Sequence, residues 1–519
     1  MMALLPFLVL SAPIDVMPGD DLKAVLSGLA AGDVVTIHEG SYGPMGFTDF
    51  TWAGTAQAPI VVQGAEGAQV TILGDGSQNT LNIAGSYFTL RNLTIEGGSH
   101  GIRLGSCDHV TIEDVVIHDI ADVGISCNRP GNVCEAVTIR GVEIYNTGQG
   151  GGPGECMYLG CNDDDCQFFD SVVEWNYCHD TTAGIQGDGI EVKTGSYGNV
   201  VRHNVIHDVK YPALTFYGTV GNKAANVVEG NVVFRVVDNG IQTVGDVVVR
   251  NNIVFDVGGY GIHAKPSQGE QVENLRIVGN TVYDPGGTCL KGNDWAMGAG
   301  NIEVRNNALL CPGGMAVNLV GGDGGAGFGG NAVAGGVAGA PGGTVDVGTV
   351  EAAVQDAANM NFYPVAGGPL VDAGDPAAVP AEDFDCKPRD DGAVDIGAYE
   401  YRDPGTPAWP IQEGFKQCDA GGGTGGTGGT GGTGGGGETS GTGGGTTGGG
   451  GSAGATTMGA GTFGGDSSGS GGEPTAGGET TGGAGASSGG GCGCRSAAPA
   501  MGGGWALLLL GLHRRRRGA

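Results

Sequence analysis

NVVRHNVIHD (199–208), NVVEGNVVFR (226–235) and VVVRNNIVFD (247–256) are one pattern written three times. LRIVGNTVYD (275–284) continues it, and FTLRNLTIEG (88–97), VTIEDVVIHD (110–119) and VTIRGVEIYN (137–146) extend it towards the N-terminus. The sixth place of each unit falls on Leu93, Val115, Val142, Asn176, Asn204, Asn231, Asn252, Asn280 and Asn307, spaced by 22, 27, 34, 28, 27, 21, 28 and 27 residues. Apolar residues alternate within each unit, which predicts short strands with one buried face. A second short strand precedes many of them, opening with Gly and Ile: GIRL, GISC, GIEV, GIQT and GIHA. Short strands at such a period, without a sustained helical stripe, build a solenoid whose turns stack at about 4.8 Å. The recurring Asn suits a turn at which stacked amides satisfy one another.

The expected class is therefore all-β, with the repeats over 88–311, an N-terminal cap and first rungs over 13–87, and C-terminal rungs and a capping region over 312–415. The pattern resembles the right-handed parallel β-helix, or pectin-lyase-like fold. A β-propeller needs longer, four-stranded repeats. LKAVLSGLAAGDVVTIHEGSYGP (22–44) and TAQAPIVVQGAEGAQVTILG (55–74) resemble the N-terminal portion of β-helices of the chondroitinase-B and alginate-lyase type. DFDCKPRDDGAVDIGAYEY (383–401) resembles a terminal motif of secreted β-helix proteins, which implies that it closes the last turns.

The rest of the chain concerns location. Residues 416–490 are dominated by Gly, Thr, Ser and Ala, cannot bury a core, and read as a disordered, flexible linker. The run at 1–12 has the apolar character of a signal peptide but no basic n-region. GCGCR (491–495), a short apolar stretch and the HRRRR cluster resemble the C-terminal sorting tag of myxobacterial surface proteins. That resemblance implies a protein secreted or held at the outer surface of a Gram-negative bacterium, touching membrane only through its tag. Thirteen cysteines fit an oxidising compartment. Cys127/Cys134 and Cys161/Cys166 close short loops, Cys289/Cys311 and Cys386/Cys418 are further expected pairs, and an odd count leaves a thiol over.

A net charge of −31 argues against nucleic acid, whose phosphates are held by Lys and Arg. Stacking the Gly-Ile strands places Arg103, Ser126, Tyr158, Thr215, Gln242, His263 and Lys291 in register with Glu191. A second column aligns Gly105, Asn128, Gly160, Tyr217, Val244, Lys265 and Asn293 with Lys193. Ile190 and Val192 should point inward, so both columns are expected to face solvent. Polar residues are the default for an outer face. In a lysine-poor chain, however, Lys193, Lys265, Lys291, His263, Tyr158 and Tyr217 share one strip, which suits an elongated sugar polymer.

DGIEVKT (188–194) resembles the acid-x-Ile-x-x-Lys-Ser strand of the chondroitinase-B and alginate-lyase family. The resemblance implies uronide β-elimination assisted by Ca²⁺, with Asp188 at a calcium-binding acid, Lys193 at the catalytic base and Thr194 at a small hydroxyl residue. One rung later that family has Arg-His-Gly, where this chain has Phe216-Tyr217-Gly218. Tyr217 or His263 is left to act as the acid. Tyr158, Glu191, Gln242, Lys265 and Lys291 are then expected to bind a polysaccharide containing uronate, and the protein to act as a monomer. Two readings stay open: a lyase-like enzyme, or a non-catalytic glycan-binding or structural surface protein. Asp188 and Glu191, three apart, are expected on opposite sides of a strand, which disfavours hydrolysis by a carboxylate pair. CNDDDCQ (161–167) reads as a disulfide loop and the His-Asp pairs at 118–119, 179–180 and 207–208 as turn residues.

Overall fold

The computed structural model describes residues 13–298, 300–390 and 392–418. The signal-like run at 1–12, the linker beyond its first three residues, and the sorting tag at 491–519 lie outside the described residues. Each turn of chain supplies up to three short strands, and each strand pairs in parallel with its counterpart one turn later. Ile190–Val192, Val200–Arg202 and Val205–Val209 are followed by Leu214–Phe216, Asn226–Glu229 and Val232–Val236, with Ile190 opposite Leu214, Val200 opposite Val227 and Val205 opposite Val232. Three parallel sheets result, called first, second and third in that order. The ladder starts at Ile14–Val16 and ends at Thr344–Asp346.

The interior is filled by alternate residues of every strand, among them Ile190, Val192, Val201 and Ile206, all fully buried. At the N-terminal end the helix Leu22–Ser27, capped by Asp21 on the Ala24 amide at 3.0 Å, lays Leu22 and Leu26 over the first turns. Trp52 Nε1 donates to Leu26 O at 2.9 Å and fixes that cap.

The corner between second and third sheets explains the recurring Asn. The residue before it is left-handed: His203, Gly230, Asn251, Gly279, Asn306 and Gly330 have φ between 54° and 65°. The Asn that follows is buried, and its amide completes the corner. Asn231 N and Nδ2 both donate to Asn252 Oδ1, at 3.0 and 2.9 Å, and Asn252 repeats this on Asn280. The ladder runs unbroken from Asn176 through Asn307 to Asn331.

The third sheet is buried on both faces. Its outer residues Val205, Val232, Phe234, Phe255 and Leu310 form a second core with Phe362, Tyr363, Phe384, Tyr399 and Trp409. The DFDCKPRDDGAVDIGAYEY segment, expected to close the last turns, lies along the flank instead. Ala398 N donates to Thr281 Oγ1 at 3.0 Å, Asn251 Nδ2 donates to Glu382 O at 2.6 Å, and Lys416 Nζ reaches Gly230 O at 2.8 Å. A two-faced sheet needs a cover, and its near-continuous apolar strands are the sequence counterpart of that need. The His-Asp pairs belong to the same sheet. His118, Tyr145, His179, His207, Phe234 and Phe255 stack in one column with ring centres 4.8 to 5.4 Å apart. Asp119, Asp180 and Asp208 take the left-handed turn position that follows.

The four expected disulfides are present. A fifth, Cys156–Cys178, crosses the interior from first to third sheet, as Cys289–Cys311 does further along. Among the described residues Cys107 is a buried free thiol.

Candidate functional site

The predicted columns are the observed register. Arg103 stands opposite Ser126, Ser126 opposite Tyr158, Tyr158 opposite Glu191, and the series continues through Thr215, Gln242 and His263 to Lys291. Neither column is simply solvent-facing. Asp188, Glu191, Lys193, His263 and Lys291 are all buried, while Tyr158, Gln242, Tyr217 and Lys265 are half-buried. Loops from neighbouring turns fold over the strip. Thr194 Oγ1 donates to Gln268 Oε1 at 2.6 Å, Gln268 Nε2 to Asn162 Oδ1 at 3.2 Å, and Tyr158 Oη to the same Asn162 oxygen at 3.2 Å. Gln268 belongs to the loop after Lys265, and Asn162 to the small loop closed by Cys161–Cys166. That disulfide takes both sulfurs of CNDDDCQ out of play as metal ligands.

Around Lys193 the geometry tightens. Its ammonium pairs with Glu191 Oε1 and lies 4.3 Å from the Tyr158 ring centre and 5.1 Å from that of Tyr217. Thr215 Oγ1 donates to Asp188 Oδ1 at 3.2 Å. Asp188 and Glu191 are not on opposite sides. The strand begins only at Ile190, so the alternation rule does not reach back to Asp188. Carboxylate oxygens of Asp188, Glu191 and a third residue, Glu155, lie within 4.8 Å of one another.

Glu155 was not a candidate from the sequence. It precedes the strand Met157–Leu159 as Asp188 precedes Ile190–Val192, and Met157 pairs with Ile190. Carrying the column two residues back from the apolar pair would have found it. Glu155 is fully buried, and both its oxygens, like Glu191 Oε2, lack a hydrogen-bond partner. Burial, then the Glu191 charge, pushes its carboxyl up to about 8, and burial with Glu191 and Glu155 raises Asp188 well above the usual range. Three buried carboxyl groups facing one ammonium can stay neutral or share a cation. Unpartnered hard oxygens from two successive rungs fit Ca²⁺, so Glu155, Asp188 and Glu191 would hold it.

Tyr217 is kept protonated by burial and by the neighbouring Glu191 and Asp188 charges, and Tyr158 by burial and Glu191. His263 stands apart from this group. Three rungs separate it from Glu191, about 14 Å at the usual strand spacing. Its Nε2 pairs with Asn293 Oδ1 at 2.9 Å, and burial with the nearby Lys265 and Lys291 charges lowers its pKa to about 4. Lys291, one rung beyond, is lowered by burial.

Residues 123–309 match the family described as "Right handed beta helix region". No curated protein matches this chain. Among solved structures it is similar to an alginate lyase from Paenibacillus sp. str. FPU-7, with 20% identity and a TM-score of 0.38 over 52% of this chain and 94% of that one. It is similar to the pectate lyase Pel9A at 13% identity and a TM-score of 0.44, over 75% and 96% of the two chains. The A-module of an Azotobacter vinelandii mannuronan C-5 epimerase gives 16% identity and a TM-score of 0.42, over 60% and 91%. With its three parallel sheets, its inward alternation and the matched region, the chain is a right-handed parallel β-helix.

Proposed function

We propose that this protein acts on a polysaccharide containing uronate, by β-elimination centred on Lys193. The observation that carries this reading is the placing of the Lys193 ammonium between Tyr158 and Tyr217, beside a buried trio of carboxyl groups. Elimination needs the uronide carboxylate neutralised, the C5 proton removed and the departing oxygen protonated. A Ca²⁺ held by Glu155, Asp188 and Glu191 would supply the first of these. Lys193, acting in its free-amine form, takes the C5 proton. The C5–H electrons close the C4=C5 double bond, and the C4–O bond breaks. Tyr217, held protonated by burial, delivers its hydroxyl proton to the leaving oxygen. Tyr158 offers a ring face against which a sugar can lie.

One observation favours a second reading, that of a non-catalytic glycan-binding surface protein. The Lys193 ammonium is already engaged by Glu191, and Phe216-Tyr217-Gly218 brings no arginine to it. Incubating the purified protein with alginate, pectate and chondroitin in the presence of Ca²⁺ decides between them. Ultraviolet absorbance of unsaturated uronide should rise, and Lys193→Ala should slow it by about a hundredfold or more. Product formed at an unchanged rate by Lys193→Ala would remove Lys193 as the base. Glycan binding without product supports the second reading, and new reducing ends without unsaturation would mean hydrolysis by the carboxyl groups.

A further inference from the structure

The strip continues N-terminally past Tyr158 and Ser126 to Arg103, and there it opens into a groove. Asp49 pairs with Asn82 and Asn82 with Arg103, so the two outward columns persist across these rungs. In the column that carries Lys193 further on, the residues here are small, Ala84 and Gly105. A Cβ built on Gly105 would lie 2.8 Å from that of Ala84, so the floor of the groove is close-packed backbone and methyl. The resulting cavity is about 300 Å³ and is lined by two guanidinium groups, Arg103 and Arg129.

Both arginines are held in place. Arg103 Nε donates to Asn128 Oδ1 at 3.0 Å. Arg129 sits on the loop closed by Cys127–Cys134, and its Nη2 reaches Asn82 Oδ1 at 3.2 Å and Asp49 Oδ1 at 3.3 Å. The Asp49 pair is solvent-exposed and so weak enough to be exchanged for another carboxylate. Asp49 faces Arg129, and Asp122 lies within electrostatic reach of Arg103, so the two guanidinium groups are drawn together here on a chain of net charge −31. Their field is felt by buried His100, whose pKa falls to about 3 through burial first and then through Arg103 and Arg129.

We infer that the Arg103–Arg129 groove is a subsite for the carboxylate of an acidic sugar, several units along the same polymer from the unit at Lys193. The inference rests on the polysaccharide reading above and adds to it where and how the acid groups are read. Guanidinium forks match carboxylates in two-point geometry, which a neutral sugar cannot exploit. Three rungs separate Arg103 from Glu191, about 14 Å, so a single chain lying along the strip can touch both.

The test is calorimetric titration of the full chain with unesterified oligogalacturonide, oligomannuronate and oligoguluronate, each alongside its methyl ester. At least one free acid should bind, more weakly as salt rises, and its ester should not. Arg103→Gln and Arg129→Gln should each weaken that binding by about tenfold, with thermal stability unchanged. Asp49→Asn, which removes the competing carboxylate, should tighten it, an effect that misfolding cannot imitate. Equal affinity for acid and ester, unaltered binding in both arginine variants, or no binding of any free acid would each overturn the subsite. Acid binding lost in the arginine variants, with no unsaturated product from the wild type, would uphold the subsite while removing the eliminase reading.

Discussion

Glu155 and Lys416 show how far a side chain's role depends on what the chain stacks over it. Glu155 lies in a Gly-rich stretch, GGPGECMYLG, that looks like a loop. Only the register with Asp188, one rung on, turns it into the third member of a buried carboxyl trio. Lys416 sits near the end of the described chain, yet it is fully buried against the Phe384 ring and 3.2 Å from His203 Nδ1. Burial lowers its pKa to about 7 from the free value of 10.5. The unfolded chain therefore binds this proton up to about 10.5, while the folded chain releases it near 7. Between those limits the unfolded state holds more protons, so stability rises with pH across that window and, on acidification, has fallen to its lower plateau by the time pH drops below about 7. Melting temperatures from pH 6 to pH 10 should show this rise in the wild type. In Lys416→Met the rise should be flattened.

At the scale of elements the Asn ladder is the most repetitive device in the chain. Each amide accepts two bonds from the amide before it and donates to a carbonyl of the preceding turn, as Asn252 Nδ2 does to Val228 O at 2.9 Å. Asn252→Ala leaves the Asn231 backbone N–H and Nδ2 without their shared acceptor in a site closed to water. The expected cost is about 3 kcal/mol, read as a lower urea midpoint at unchanged slope. This ladder was legible in sequence because Asn recurs at one position of every unit from Asn176 onward. The burial of Lys193 and Glu191 was not, because Gln268 and Asn162, which bond to each other and to the neighbouring Thr194 and Tyr158, come from loops 75 and 31 positions from Lys193 in the chain. A period locates strands, but it says nothing about where the loops between them fall.

For the whole molecule the decisive feature is the flank segment. Its charges, readable in DFDCKPRDDGAVDIGAYEY as structural, do serve structure, but along the third sheet. Arg389 and Glu400 form an ion pair whose side chains are 1% exposed, and Arg389 Nη2 also donates to Gly397 O at 2.8 Å. Removing one partner strands the other charge in the second core. Arg389→Met should therefore destabilise the protein by about 3–5 kcal/mol, whereas Arg389→Met combined with Glu400→Leu should recover part of the loss. Thermal denaturation of the three proteins checks this. The same packing leaves the first and second sheets uncovered by the flank segment, and the Lys193 strip lies on the first.

The solenoid, its register and the membership of each column were readable from the residues alone. Strand pairing in a repeat is set by alternation and by the Asn at each corner, and both are local in every unit. Four disulfides were legible as well, two of them because their loops are short. The convergence of Asp188, Glu191 and Glu155 and the burial of Lys193 are settled by the tertiary packing alone. Convergence depends on where a strand starts and on which loop folds across it. Those are set by contacts between turns, and burial then fixes the charge state of the groups brought together.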